Sequence, residues 1–600
     1  MKLYTYLSFC SVLVISSAFL PSLGNDILKE VDSALRNITA KNGIFNPEEM
    51  SLDARAKLYA ISNINIFDKR PKEPVWPYYD IDCDTCLLAA TLLIDLFQAG
   101  TPLWEIEVAV TSLCIVLEIE MPEVCEGSVH NYGYQVEYIL QHMSDPAPEL
   151  LCGVFVGGEC GDQTSVNGWE VEIPELPEKP AVTVPEDPDE TISELRVLQI
   201  TDVHIDMSYL PGSPVNCGLP CCCMAETGLA GEGEAGAGFW GDYNCDLPVN
   251  TFQDIVRHIA ATHTDLDYII YTGDSPAHDI WLQTKERNLE HQEVVLSTLD
   301  QHLPGIPVYL TLGNHEGFPV NSFPTNTELG TVVSGDWLYN SVGDLTWANN
   351  LDEEARETFK QNGFYSTLVK PGLRIIGINN NFCVGLNFFT FLDFSDPGDQ
   401  LSWLVKQLLL SEEQGEAVHI LAHHPPSSCL SGWGREYTKI INRFQSTVKA
   451  QFHGHTHDDH YLVFHNETGG PSSIAFVAPS LTTFTNNNPE YRIYNVASNL
   501  EHSSFGHITD HQTWSMDLSL LNSEDDTPEW RKLYSAQEDL GLGGVDVSKW
   551  KAVLETANDD MELFEKLVVY YSQDRFGGSL PNKKNFLCRM IWNEECPFED

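Results

Sequence analysis

Positive charge is scarce in this chain. Only 33 lysines and arginines stand against 87 aspartates and glutamates, a formal net charge of −54. No basic run offsets that balance, so nucleic acid is excluded as a partner at neutral pH. Long apolar runs are equally few: beyond residue 24 no segment is long and apolar enough to span a bilayer. Apolar residues still make up 42% of the 600 positions and aromatics 10%, which suffices for several folded domains and argues against general disorder. Repulsion among the carboxylates relaxes as pH falls, so the composition suits an acidic compartment.

The apolar exception is residues 1–24, where Lys2, the stretch LSFCSVLVISSAFL and the small residues Ser22 and Gly24 read as a secretory signal. The last residues, NEECPFED, carry no apolar tail for a lipid anchor. Export fits the 16 cysteines, since disulfides persist outside the cytosol. Removing Cys10 with the signal leaves an odd number. Asn37 (NIT) and Asn466 (NET) are glycosylation sequons.

Residues 25–78 are polar with amphipathic patches and are expected to be helical. Over 79–163, six cysteines (Cys83, Cys86, Cys114, Cys125, Cys152, Cys160) are separated by apolar stretches too long for strands, which predicts a small helical domain. Six cysteines allow fifteen pairings, and spacing does not choose among them. The pattern C-x2-C, C-x10-C and a late cysteine pair resembles a saposin domain. That resemblance implies the pairs Cys83–Cys160, Cys86–Cys152 and Cys114–Cys125, and a lipid-binding surface lined by helices such as 87–97. Residues 164–194, with VEIPELPEKPAVTVPEDPDE, read as an extended, semi-rigid linker at a domain boundary.

From residue 195 on, short apolar segments end repeatedly in residues able to bind metal. LRVLQI leads into TDVHID, DYIIYT into GDSPAHD, IPVYLTL into GNHEG, AVHILA into HHPP, and STVKAQF into HGHTH. Such segments read as buried strands, and helical stretches at 251–262 and 401–410 between them predict an α/β layered domain with its site at the strand ends. Two adjacent cations need a bridging carboxylate to screen their repulsion, with imidazoles and an amide oxygen to complete the shells. The two-residue strand period sends Asp202 and His204 to one side, and likewise His455 and His457. The ordered set D-x-H, GD, GNH, His, GH-x-H over 195–510 resembles the calcineurin-like metallophosphoesterases. The resemblance implies one metal held by Asp202, His204, Asp274 and His457, and a second held by Asp274, Asn314, His423 and His455. His453, His460, Asp206 and Asp279 are expected to pack or orient their neighbours, while His424 competes with His423. Ala422 stands where the family usually has glycine. Ala277 stands where purple acid phosphatases carry a tyrosine, so zinc is expected rather than an iron–tyrosinate centre.

Signal, saposin-type domain, proline-rich linker, metallophosphoesterase and C-terminus, in that order, resemble the acid sphingomyelinase family. The resemblance implies hydrolysis of sphingomyelin to ceramide and phosphocholine with two Zn2+. His278 and His315, the histidines of these motifs not spent on metal, are expected as catalytic acids for the lipid alkoxide, the alternative for either being to orient a neighbour. The resemblance also implies a secreted or lysosomal setting, peripheral contact with membranes or lipoproteins through the saposin domain, and a monomer. It places Tyr491, in NNNPEYRIYNV, on a substrate-side loop. It pairs Cys217–Cys222, Cys223–Cys245, Cys383–Cys429 and Cys588–Cys596, with Cys221 left over. The alternative is an acid phosphodiesterase of soluble nucleotides or other phospholipids, against which the module spanning Cys83 to Cys160 argues. The expected fold is thus an α/β calcineurin-like β-sandwich flanked by helices, preceded by an all-α saposin domain and followed, over 511–600, by a helical C-terminal subdomain with helices at 528–540 and 561–571.

Overall fold

The computed structural model describes residues 83–598, apart from 117–118, 145, 158–159, 162–163, 176, 183, 188–192, 327–330 and 522. The expected signal, the segment 25–78 and the sequon at Asn37 lie outside the described residues. The chain divides into two compact units.

The first unit is helical: α1 (Cys83–Gln98), α2 (Leu103–Val116), α3 (Pro122–His142) and α4 (Pro148–Phe155). Proline opens both α3 and α4, where its missing N–H costs nothing and its fixed φ suits the first turn. Leu93, Ile106, Val110 and Val129 form a small apolar core. So small a core is reinforced by the bridges Cys83–Cys160, Cys86–Cys152 and Cys114–Cys125, the nested pairs named above. The unit also takes in Asp279–Gln283 and Phe388–Phe394. There the Phe388 ring packs 5.9 Å from Tyr132 and 6.0 Å from Phe155. No described helix is long and apolar enough to cross a membrane.

Beside a small parallel pairing of Ile205–Asp206 with Leu247–Pro248, the second unit holds two large sheets. Along the chain their strands are β1 (Glu194–Ile200), β2 (Tyr268–Tyr271), β3 (Val308–Leu310), β4 (Tyr365–Lys370), β5 (Leu373–Gly377), β6 (Ala417–Leu421), β7 (Val448–His453), β8 (His460–His465), β9 (Pro471–Val477), β10 (Glu490–Ala497), β11 (Ile508–Met516), β12 (Trp530–Ser535) and β13 (Ile591–Trp592). One sheet runs β12-β11-β10-β1-β2-β3 and the other β13-β8-β9-β7-β6-β5-β4. β1, β2 and β3 are mutually parallel, as are β5, β6, β7 and β9 in order across the second sheet. Among them Tyr268–Tyr271 and Ala417–Leu421 are fully buried and largely apolar throughout, because both of their faces are covered. Inner faces meet where Phe452 and Phe476 pack 5.0 and 5.4 Å from Tyr494. Outside the first sheet lie α5 (Val249–Thr262) and α6 (Lys285–His302). The buried face of α5, Phe252, Ile255, Val256 and Ile259, recurs at helical spacing. Outside the second sheet, α7 (Gln400–Gln414) and α8 (Ser431–Arg443) bury Leu404, Leu408, Tyr437 and Ile440.

Two expectations are corrected and one is sharpened. The boundary between the units falls within the proline-rich stretch 164–194, at Gly168–Trp169, and from Trp169 on that extended stretch belongs to the second unit and is strapped onto it. Arg443 donates to the Pro177 carbonyl (2.8 Å), and Val171 N–H and Val545 N–H donate to the Glu436 and Asp187 carboxylates (both 3.0 Å). Proline lacks a donor, but the carbonyls and carboxylates that remain are good acceptors. The helical pattern at 528–540 is mostly the strand β12, paired with β11, with one helical turn at Ala536–Asp539. NNNPEYRIYNV is no loop beyond Pro489; its alternating aromatic and β-branched residues form β10, paired with β1. The C-terminal region carries the helices α9 (Val547–Asp559) and α10 (Met561–Tyr571), but it also supplies an edge strand to each sheet.

Candidate metal centre

Five strands of the two sheets stop at nearly the same level, and their following loops are knitted together by backbone hydrogen bonds. Asp202 N–H donates to Gly273 O (2.9 Å), His204 N–H to Asp274 O (3.0 Å) and Gly454 N–H to His423 O (3.0 Å). The turns are tight enough that Asp202, His204, Asp274, His455 and His457 all adopt positive φ, between 41° and 73°. Left-handed backbone costs an ordinary side chain on the order of 1 kcal/mol or more, and such strain concentrates at functional sites. Glycine is required beside the ligands: a Cβ on Gly313 would lie 2.2 Å from Asp274 Oδ1, and one on Gly454 would lie 2.1 Å from Thr201 Oγ1.

The side chains form two sets that share one carboxylate. Asp274 Oδ2 lies 3.5 Å from His204 Nε2 and 3.1 Å from His423 Nε2. On one side, His204 Nε2 is 3.1 Å from His457 Nε2, which is 3.4 Å from Asp202 Oδ1. On the other, Asn314 Oδ1 lies 3.0 Å from His423 Nε2 and 2.8 Å from His455 Nδ1, with the two nitrogens 3.1 Å apart. All seven residues expected as ligands are therefore brought together, in clusters that also take in His278, His315 and His424 and set Asp202 beside Asp274 and His423.

Their chemistry fits a pair of divalent cations. His204 Nδ1 donates to Pro276 O (2.9 Å) and His423 Nδ1 donates to Thr272 O (2.7 Å), so each turns Nε2 inward, where a metal would take it. Lone pairs and carboxylate oxygens converging at about 3 Å repel one another unless positive charge lies between them. Burial raises the Asp274 carboxyl, but His423 and His315 more than offset this and hold it well below the usual carboxylate range. His423 shows the reciprocal effect: burial pulls it down, Asp274 pulls it up, and the net is about 9. Glu316 binds the loops from below, accepting from the N–H groups of Gly313 (2.7 Å), Asp274 (2.9 Å) and Ser275 (2.6 Å), and burial followed by Asp274 pushes it up to about 7.

Two further histidines border the cluster. The His278 ring stacks on His204 with centroids 3.8 Å apart, and His315 meets His204 edge-on at 4.7 Å. Asp246, fully buried, accepts from His278 twice, at Nδ1 and at the backbone N–H, both 2.6 Å. The carboxylate fixes the Nδ1–H tautomer, while burial first, then His315 and His457, hold the ring well below the usual imidazole value. Thr482 Oγ1 (3.3 Å) and Cys221 Sγ (3.5 Å) border the same carboxylate. Cys221 is a buried thiol outside the disulfides, whose remaining pairs are Cys217–Cys222, Cys223–Cys245, Cys383–Cys429 and Cys588–Cys596.

Other predicted residues take other places. Tyr491 is fully buried on β10, its hydroxyl 3.0 Å from Nε2 of His258 on α5 and 2.9 Å from Nε2 of His263, just past the end of that helix. That engagement is structural and sets it apart from the ligands. His453 Nδ1 donates to His424 O (2.9 Å), and His460 packs on Tyr571. His424 falls within ligand reach of His423 and His455, and its Nε2 donates to Asn381 Oδ1 (3.0 Å). Asp206 accepts from Ser208 N–H (2.7 Å) and Asp279 from the Gln283 amide. Asn466 lies in the turn between β8 and β9, where its Oδ1 accepts from Thr468. Sequence reasoning missed Asp246 and Glu316. The glutamate was visible as the E of GNHEG; Asp246 follows a cysteine and precedes a Leu-Pro pair, with nothing in its surroundings to mark it.

Residues 195–459 match the calcineurin-like phosphoesterase family. The chain is 35% identical over 498 residues to a sphingomyelin phosphodiesterase of Bos taurus, covering 82% of this chain and 79% of that one. It is 37% identical over 462 residues to that of Homo sapiens, covering 76% and 72%. Sphingomyelin phosphodiesterase 1 of Caenorhabditis elegans matches at 34% over 526 residues, covering 85% and 90%. With its site geometry and its relatives in agreement over most of their lengths, the chain belongs to the sphingomyelin phosphodiesterase family.

Proposed function

We propose that the protein hydrolyses sphingomyelin to ceramide and phosphocholine, using two zinc ions held by Asp202, His204, Asp274, Asn314, His423, His455 and His457. The observation that carries this reading is the shared Asp274 carboxylate between two convergent ligand sets. Zinc suits an imidazole-rich set. Bound there, the two ions supply the positive charge that polarises a phosphoryl group and lowers the pKa of a water nucleophile. The protein's own residues do the rest. Asp274 screens the two ions, and Thr201 and the His455 N–H hold Asp202 in place by hydrogen bonds of 2.7 and 3.0 Å. A lipid alkoxide is a poor leaving group and must receive a proton. We read His278, whose Nδ1–H is oriented by the Asp246 carboxylate, as the group that delivers it, with His315 beside it at 4.8 Å.

The helical unit at 83–168 is read as a saposin-type lipid-handling module, supported by its nested bridges and by Trp104 and Met121, 54% and 43% exposed. We read the protein as an exported, monomeric enzyme, secreted or lysosomal, that works at membrane or lipoprotein surfaces. The test is phosphocholine release from sphingomyelin liposomes, run beside a nucleoside triphosphate, with and without chelator. Chelator-sensitive release from the lipid, with little from the nucleotide, is expected; preferential nucleotide hydrolysis would refute the substrate assignment.

A further inference from the structure

The ends of the strands opposite the metal ligands enclose a second polar cavity. It has a volume of about 100 Å3, several times the roughly 10–15 Å3 that one water needs. Lys449 and Val448 of β7, Ser472 and Ser473 of β9, His507 just before β11, and the first turn of α9 line it, with the strapped segment at Val182 and Pro185 closing one side. Lys449 lies roughly 13 Å along β7 from the loop that carries His455, at 3.3 Å per residue.

The lining carries one ammonium and several under-satisfied polar groups. Lys449 Nζ donates to the Ser446 carbonyl (2.8 Å), no carboxylate pairs with it among the described residues, and burial lowers the ammonium from its ordinary value. The His507 ring makes no hydrogen bond with any described residue. Burial first, then the positive Lys449, pulls that imidazole down to about 3, so it faces the cavity neutral with a ring N–H to give. Ser446 Oγ and Gln445 Oε1 are buried without a partner. The one carboxylate on the lining, Asp546, is turned to its own helix, accepting from Ser548 N–H (2.9 Å). An ammonium with no paired carboxylate among the described residues, a hydroxyl and an imidazole N–H around one space are the donor set of an anion site.

We propose that this cavity binds a small oxyanion of phosphate size, held by Lys449 Nζ, Ser446 Oγ and the His507 ring, at a place separate from the metal centre. The test is thermal unfolding of the full chain, stripped of metal, in inorganic phosphate against chloride at equal ionic strength. Wild type should show a saturating rise in Tm of about 2 °C. Lys449→Met should abolish the rise, and Ser446→Ala should reduce it. A phosphate-dependent rise unchanged in Lys449→Met, or none in wild type, would overturn the proposal. Should Lys449→Met fail to fold, crystals of wild type grown in selenate decide: anomalous selenium density between Lys449 and His507 supports the site, and density only at the histidine cluster refutes it.

Discussion

Replacing Asp246 by asparagine isolates the part of the proposed mechanism that does not involve metal. The carboxylate accepts two hydrogen bonds of 2.6 Å from His278 in a fully buried setting. Asparagine is nearly isosteric, but its single carbonyl oxygen can serve only one of the two donors, and its NH2 group opposes the other. A hydrogen bond to a buried charge contributes about 1.5–3 kcal/mol, and each 1.36 kcal/mol is about tenfold in rate. Turnover of sphingomyelin should therefore fall about 10- to 150-fold, mainly in kcat. The informative comparison is a nitrophenyl phosphodiester of choline, whose leaving group departs without a proton. On that substrate Asp246→Asn should lose only a few-fold, and bound metal should equal wild type. Equal losses on both substrates, or a loss that tracks missing metal, would refute a role for Asp246 in proton delivery.

Two further outcomes follow from the geometry. Gly454→Ala places a methyl group 2.1 Å from Thr201 Oγ1 and 2.6 Å from Asp202 Oδ2, so it should displace Asp202, reduce bound metal measurably and lower activity at least about 100-fold, read by metal analysis and turnover. In the helical unit, burial pushes Glu120 up to about 7 from an unfolded value near 4.5. The folded form thus keeps a proton that the unfolded form has lost; the advantage is complete below pH 4.5, declines as pH rises to 7, and is flat above. Its size is at most about 3 kcal/mol. Glu120→Gln should accordingly raise the unfolding temperature of this unit at pH 7.5 and leave it unchanged at pH 4.5, as followed by circular dichroism.

Legibility in the sequence followed the physics of each element. LRVLQI, DYIIYT and AVHILA could be read because central parallel strands are buried on both faces and appear as unbroken apolar runs. Their ligands could be read because the fold places them directly after those runs. Asp246 could not: it acts on His278 from 32 positions away, through a contact only the tertiary structure creates. β12 was misread because WRKLYS, a half-exposed edge strand, alternates too weakly to exclude a helix. Tyr491 was misassigned for a related reason. An aromatic beside a loop motif invites a substrate role, whereas strand pairing turns it under α5, between His258 and His263. The strapped proline-rich segment was invisible because its partners, Arg443 and Glu436, lie more than 250 residues downstream.

The central claim, a shared aspartate between two cations, is tested most directly by metal analysis of purified wild type and Asp274→Asn alongside phosphocholine release at pH 5. Two zinc ions per chain in wild type are predicted, with at least one lost and activity down about 1,000-fold or more in the variant. Full activity in Asp274→Asn, or in wild-type protein carrying no metal, would contradict the account.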